Sequence, residues 1–115
     1  MEPIFHLTTA GEWAGALAAG SYERSTRGRS LGEVGFIHCS FAHQVERIAD
    51  FLYAGEASVL LLVINPAAVP AEVRHENLEG GAEKFPHIYG PLPVDAVVDT
   101  VTLNADAAGR FGFPF

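Results

Sequence analysis

Six consecutive aliphatic residues, Val59-Leu60-Leu61-Leu62-Val63-Ile64, end abruptly at Asn65-Pro66 and constrain the fold of this chain more than any other stretch. The run has the length of a strand, and an unbroken apolar pattern needs cover on both faces. Ser58 to Ile64 therefore predicts the central, doubly covered strand of a sheet. Proline has no N–H to continue a ladder, so Pro66 stops the strand. The run is far too short to cross a bilayer as a helix, and no membrane partner is expected.

The flanking segments supply what such a strand would pack against. Ile4 to Thr8 alternates in the manner of a half-buried strand, with Phe5 and Leu7 on one face and His6 and Thr8 on the other. Thr9-Ala10-Gly11-Glu12 fits a capping box, and Trp13, Ala14, Leu17 and Ala18 give the helix it opens an apolar stripe that Gly20 ends. Residues 21–34 are polar and without period, which predicts an exposed loop. Phe36 to Cys39 predicts a second strand, and Ser40 an N-cap for a helix from about Phe41 to Tyr53, facing inward through Phe41, Val45, Ile48, Ala49 and Leu52. Short strands follow at Glu72–Arg74, Phe85–Tyr89 and Val97–Leu103, separated by Gly80-Gly81 and Gly90-Pro91. Short strands after a helical half predict an α+β fold with a mixed sheet and two main helices, and 115 residues predict a single domain spanning 1–115.

Charge narrows the partners. A net charge of −7 opposes general DNA binding, because affinity for a phosphate backbone rests on counterion release by Lys and Arg. Arg24, Arg27 and Arg29 nevertheless place three of the seven cationic side chains in one short segment, enough to hold one small phosphate. Cys39 is the only cysteine, so no intramolecular disulfide can form, and Met1-Glu2-Pro3 lacks a basic leader; a cytoplasmic location is expected. Phe111, Phe113 and Phe115 predict a tail that folds back over an apolar groove or docks a second subunit.

Residues i and i+2 of a strand share a face, so His6 with Thr8 and His38 with Ser40 make two H-x-(S/T) units. Each sets an imidazole, able to act as acid or base near neutral pH, beside a hydroxyl that can bind a ribose or phosphate oxygen. If the two strands are neighbours, the four groups converge. His87 and Tyr89 form a third pair, held between Pro86 and Pro91. His43 and His75 are expected at the surface, and Cys39 in the core. His6, His38 and His87 lack close metal-ligand spacing, so no metal is expected. Glu79 to Lys84 predicts a mobile loop whose carboxylates could polarise a substrate hydroxyl.

The combination of F-H-L-T, G-F-I-H-C-S and F-P-H-I-Y-G resembles family nine-five-two of the domains of unknown function, small bacterial and plant proteins, from about Ile4 to Val101. That family is similar in fold to the ADP-ribosyltransferase superfamily. The resemblance implies a split mixed sheet around a cleft that accepts NAD, ADP-ribose or a related nucleotide as substrate. On that reading His6 and Thr8 hold a ribose, His38 and Ser40 stand at the reacting centre, His87 and Tyr89 form the opposite wall, and Arg24, Arg27 and Arg29 meet the pyrophosphate. Leu7 stands where the superfamily pattern has glycine. Two alternatives remain open: a two-histidine phosphoesterase acting on cyclic phosphates or RNA ends, and a ligand-sensing or interaction domain without turnover.

Overall fold

A computed structural model describes residues 2–78 and 81–115. In chain order the elements are β1 (Ile4–Thr8), α1 (Ala10–Ala19), β2 (Ser21–Tyr22), β3 (Arg24–Thr26), β4 (Arg29–Ser30), α2 (Leu31–Val34), β5 (Ile37–His38) and α3 (Val45–Leu52). There follow β6 (Ser58–Ile64), β7 (Val73–Glu76), β8 (Phe85–Ile88), β9 (Leu92–Pro93) and β10 (Val97–Asn104). The fold is α+β, built from small sheets and few helices. No helix of the described residues is long and apolar enough to cross a membrane.

The aliphatic run is β6, and it lies between β1 and β10. Its pleat sends Leu60, Leu62 and Ile64 toward a cluster containing Ile4, Tyr22, Ile37 and Leu92. Val59, Leu61 and Val63 point the opposite way, among Phe5, Leu7, Val45, Ala49 and Tyr53. One strand thus feeds two apolar layers, which is why its sequence does not alternate. Each such side chain removed from water contributes on the order of 1.5–3 kcal/mol.

A second sheet, in the order β5, β8, β7, is joined to the first by an isolated bridge in which Phe5 and Ser40 exchange backbone hydrogen bonds of 2.9 and 2.7 Å. The sheet is therefore split. It is not mixed: every strand pairing among the described residues is antiparallel. Parallel neighbours need a crossover that returns the chain to the same sheet. Here α1 instead carries the chain from the first sheet to a separate β2–β9 pair, and α3 carries it from the second sheet to the first.

Several local expectations change. Residues 21–34 are not a loop. A β3–β4 hairpin turns at Gly28, whose φ of 78° suits glycine, and Ser30 and Glu33 form a reciprocal capping box on α2. Ser40 cannot cap a helix, because its backbone is engaged by Phe5; a 3₁₀ turn, Ala42–Gln44, precedes α3. The α1 face turned inward carries Glu12, Trp13 and Ala16, and Leu17 is 55% exposed, since an alanine-rich helix gives apolar periodicity little to discriminate. β1 is covered on both faces and not half-buried, because Tyr22 closes over the side that holds His6 and Thr8.

The tail folds back. Phe111 and Phe113 donate their N–H groups to Asp50 and Glu46 on α3, and Phe113 meets the Phe5 ring edge-on at 5.2 Å.

Leu61→Ala should lower the unfolding free energy by about 2–5 kcal/mol, because it empties a site in the middle of β6. Leu17→Ala should change it by less than about 0.5 kcal/mol. Urea denaturation of the two variants separates the outcomes, and equal losses would contradict the two-layer core.

Candidate functional site

Antiparallel register decides which side chains meet. His38 pairs with His87 across β5 and β8, and Arg74 pairs with His87 across β7 and β8. Directly opposed residues share a face, as do residues two apart, so Phe36, His38, Arg74, Glu76, Phe85, His87 and Tyr89 belong to one face of this sheet. The other face, with Ile37, Cys39, Ile88 and Val73, packs into the first apolar layer. Cys39 is buried as expected, and burial pushes its thiol pKa well up.

The functional face is built around His87. Its Nδ1 lies 3.0 Å from Glu76 Oε1, and the Tyr89 hydroxyl donates to the same oxygen. The Tyr89 hydrogen bond, aided by His87, holds the Glu76 pKa below the usual carboxylate range, so Glu76 is an ionised acceptor. His87 Nδ1 must then carry the proton, and in the neutral ring Nε2 keeps its lone pair. Phe36 stacks on His87 at 4.1 Å and 21°, fixing the plane of the imidazole, and the Arg74 guanidinium lies 4.3 Å over the Tyr89 ring. The His38 ring centroid is 5.3 Å from that of His87 and 5.0 Å from that of Phe85.

A cleft of about 310 Å³ opens in front of this group, lined by Phe36, His38, Glu76, Phe85 and His87, with Arg47 and Glu83 paired at its side. An imidazole held beside a carboxylate and facing a second imidazole is chemically able to give and take protons near neutral pH. Among the described residues no cluster of three His, Cys, Asp or Glu could hold a metal ion.

His6 occupies a different environment. It is buried, with Nδ1 2.7 Å from the His38 carbonyl and Nε2 2.7 Å from the Tyr22 hydroxyl. A carbonyl only accepts, so Nδ1 donates, and Nε2 accepts from Tyr22. Burial lowers the His6 pKa to about 4 and raises that of the Tyr22 phenol, which keeps both groups neutral. The polar line continues outward: Thr8 donates to Glu12 at 3.2 Å, and Glu12 pairs with Arg24 at 2.7 Å. The two H-x-(S/T) units are adjacent, joined by the Phe5–Ser40 bridge. His6 and Thr8, however, meet Tyr22 and Glu12, while His38 turns to the cleft; Ser40 lines a small chamber between His6 and His38.

The arginines disperse. Arg24 is held by Glu12, and Arg27 donates to the Leu52 carbonyl and Glu56. Only Arg29 lines a groove beside His38. His43 and His75 are exposed. Glu79 and Gly80 of the expected mobile loop lie outside the described residues. Sequence reasoning missed Glu76, Phe36 and Phe85. The spacing of two between Phe36 and His38, and between Phe85 and His87, was available, but Glu76 depends on the register of β7 against β8.

Comparison with known proteins places this geometry. The family model described as "Protein of unknown function (DUF952)" matches residues 7–100. The chain is similar to the crystal structure of protein CC0527 from Caulobacter crescentus, 31% identical, with a TM-score of 0.82 over 96% of this chain and 93% of that one. A crystal structure of a double mutant of CC0527 matches equally well. The solution NMR structure of CC0527 is 32% identical, with a TM-score of 0.79 over 96% and 91% of the two chains. No curated protein matches. The ADP-ribosyltransferase relationship implied by the sequence gains no support from these neighbours.

Because the His6 pKa falls from 6.5 to about 4 on folding, the unfolded chain binds more protons between those values. Stability should therefore rise with pH from about 4 to 6.5, His6 accounting for about 3 kcal/mol of the change. Chemical denaturation across this range should show a shallower slope for His6→Asn than for the wild type. Equal slopes would mean that His6 titrates like a solvated imidazole.

Proposed function

The chain belongs to the DUF952 family of proteins of unknown function, and we propose that its His38–His87 cleft binds a nucleotide-class ligand, presenting the ribose edge to the two imidazoles. The observation that carries this reading is the Tyr89–Glu76–His87 arrangement opposite His38: a hydrogen-bonded carboxylate fixes one tautomer of His87, and the paired strands hold the second ring beside it. The Nε2 lone pair of His87 can accept a proton from a ribose hydroxyl, and the aromatic walls suit a ligand with flat, apolar parts. NAD and ADP-ribose belong to this class. For ADP-ribosyl transfer the cleft offers Glu76, already committed to His87 and Tyr89, and Glu83, paired with Arg47.

The 5.3 Å separation of the two imidazoles favours a second reading, hydrolysis of a 2′,3′-cyclic phosphate. His87 Nε2 would take a proton from water as its oxygen attacks phosphorus. The P–O bond to one ribose oxygen would break, and that oxygen would take a proton from the His38 imidazolium. The working pair is then His38 and His87, with His6 held neutral beneath them.

Thermal shift with NAD, ADP-ribose, AMP and 2′,3′-cyclic AMP tests both readings, since a ligand that binds only the folded state raises its apparent stability. A shift of a few degrees that disappears in His38→Ala and in His87→Gln is expected; no shift in the wild type would overturn the nucleotide reading. Appearance of a 2′- or 3′-phosphate with a bell-shaped pH–rate profile, reduced about 10²–10⁴-fold by Glu76→Gln, would select the phosphoesterase.

A further inference from the structure

A second groove, about 350 Å³, runs between the β3–β4 hairpin and α3 and shares Phe36, His38, Ile48 and Phe85 with the His38–His87 cleft. The two cavities are neighbours across these four side chains, His38 among them. Three features of the second groove are unexplained by folding. Phe51 is 77% exposed although it stands at the groove wall. The Ser25 side-chain oxygen is buried with no hydrogen-bond partner among the described residues, a state that calls for a partner from outside. Arg29 makes no ion pair among the described residues, unlike Arg24 and Arg27 of the same hairpin, and feels only the more distant charge of Glu33.

We infer that this groove is the base and 5′-phosphate subsite of the cleft, which makes the ligand a 5′-nucleotide; the inference rests on the nucleotide reading above. The connectivity of a nucleotide fits the shape. The base leaves ribose at C1′ and the phosphate at C5′, both on the side opposite the 2′,3′-diol. A ribose whose diol faces His38 and His87 therefore sends both substituents back into the second groove. The base stacks on Phe51, a contact that every base offers through its π-face. The Arg29 guanidinium meets the phosphate, and Ser25 gains a polar neighbour. In a chain with a net charge of −7, an unpaired arginine at this place distinguishes phosphate from the general surface.

The test uses AMP, adenosine and ribose 5-phosphate, titrated into wild-type protein, Phe51→Ala and Arg29→Ala by isothermal calorimetry. Both substituted residues are exposed, and ligand-free melting checks that each variant folds as the wild type does. Phe51→Ala should weaken AMP and adenosine about tenfold and leave ribose 5-phosphate unchanged. Arg29→Ala should weaken AMP and ribose 5-phosphate about tenfold, less at high salt, and leave adenosine unchanged. Binding of AMP that is lost in His38→Ala but unaltered in both groove variants would overturn the subsite and leave the cleft standing. Failure of the wild type to bind any of the three would overturn the subsite and the nucleotide reading together.

Discussion

Two backbone hydrogen bonds between Phe5 and Ser40 hold the halves of this protein in register. They join the sheet around β6 to the sheet that carries His38 and His87. The next residue along β1, His6, adds a third link by donating to the His38 carbonyl at 2.7 Å. Because His6 is kept neutral and receives a hydrogen bond from Tyr22, this contact leaves neither a buried charge nor an unsatisfied nitrogen. The backbone that presents His38 is thus anchored from below by β1, which is buried along its whole length.

Environment separates the histidines into distinct roles. His6 lies among apolar side chains and serves as a neutral hydrogen-bonding strut. His87 has an ionised carboxylate on one nitrogen and an aromatic ring stacked on its face, so it is oriented with its other nitrogen available. His43 and His75 sit in solvent. One residue type is therefore a buried strut, an oriented ring at the cleft or a surface residue according to burial and the partner on Nδ1. The Arg trio divides in the same way: close in sequence, the three side chains radiate from a twisted hairpin to Glu12, to the C-terminal end of α3 and to the second groove.

Much of the local structure was legible because it depends on short-range chemistry. The aliphatic run had to be a covered strand. Thr9 accepts from the Glu12 N–H at the start of α1, and Gly20, at φ 83°, ends it. The i, i+2 rule correctly grouped His87 with Tyr89, which share the Glu76 carboxylate. The segment from 21 to 34 was misread because its strands are two or three residues long and their burial comes from distant partners, as when Tyr22 packs on His6. A polar stretch with no period gives no local sign that Ser25 is buried. The expectation of a mixed sheet failed because strand direction is a property of the connections, not of the strands.

The sequence by itself determined where β1 and β6 begin and end, which strand must be central, and which side chains alternate with His38 and His87. Those outcomes follow from hydrophobic periodicity, capping and the proline and glycine stops, all acting over a few residues. Only the tertiary structure decided that Glu76 meets His87, that His6 turns inward and loses its proton affinity, and that Arg29 alone of its cluster reaches the groove. Each of these requires a register between segments remote in sequence. Register is set by the fit of whole apolar faces against one another, and a one-residue slip would send every one of these side chains to the opposite face.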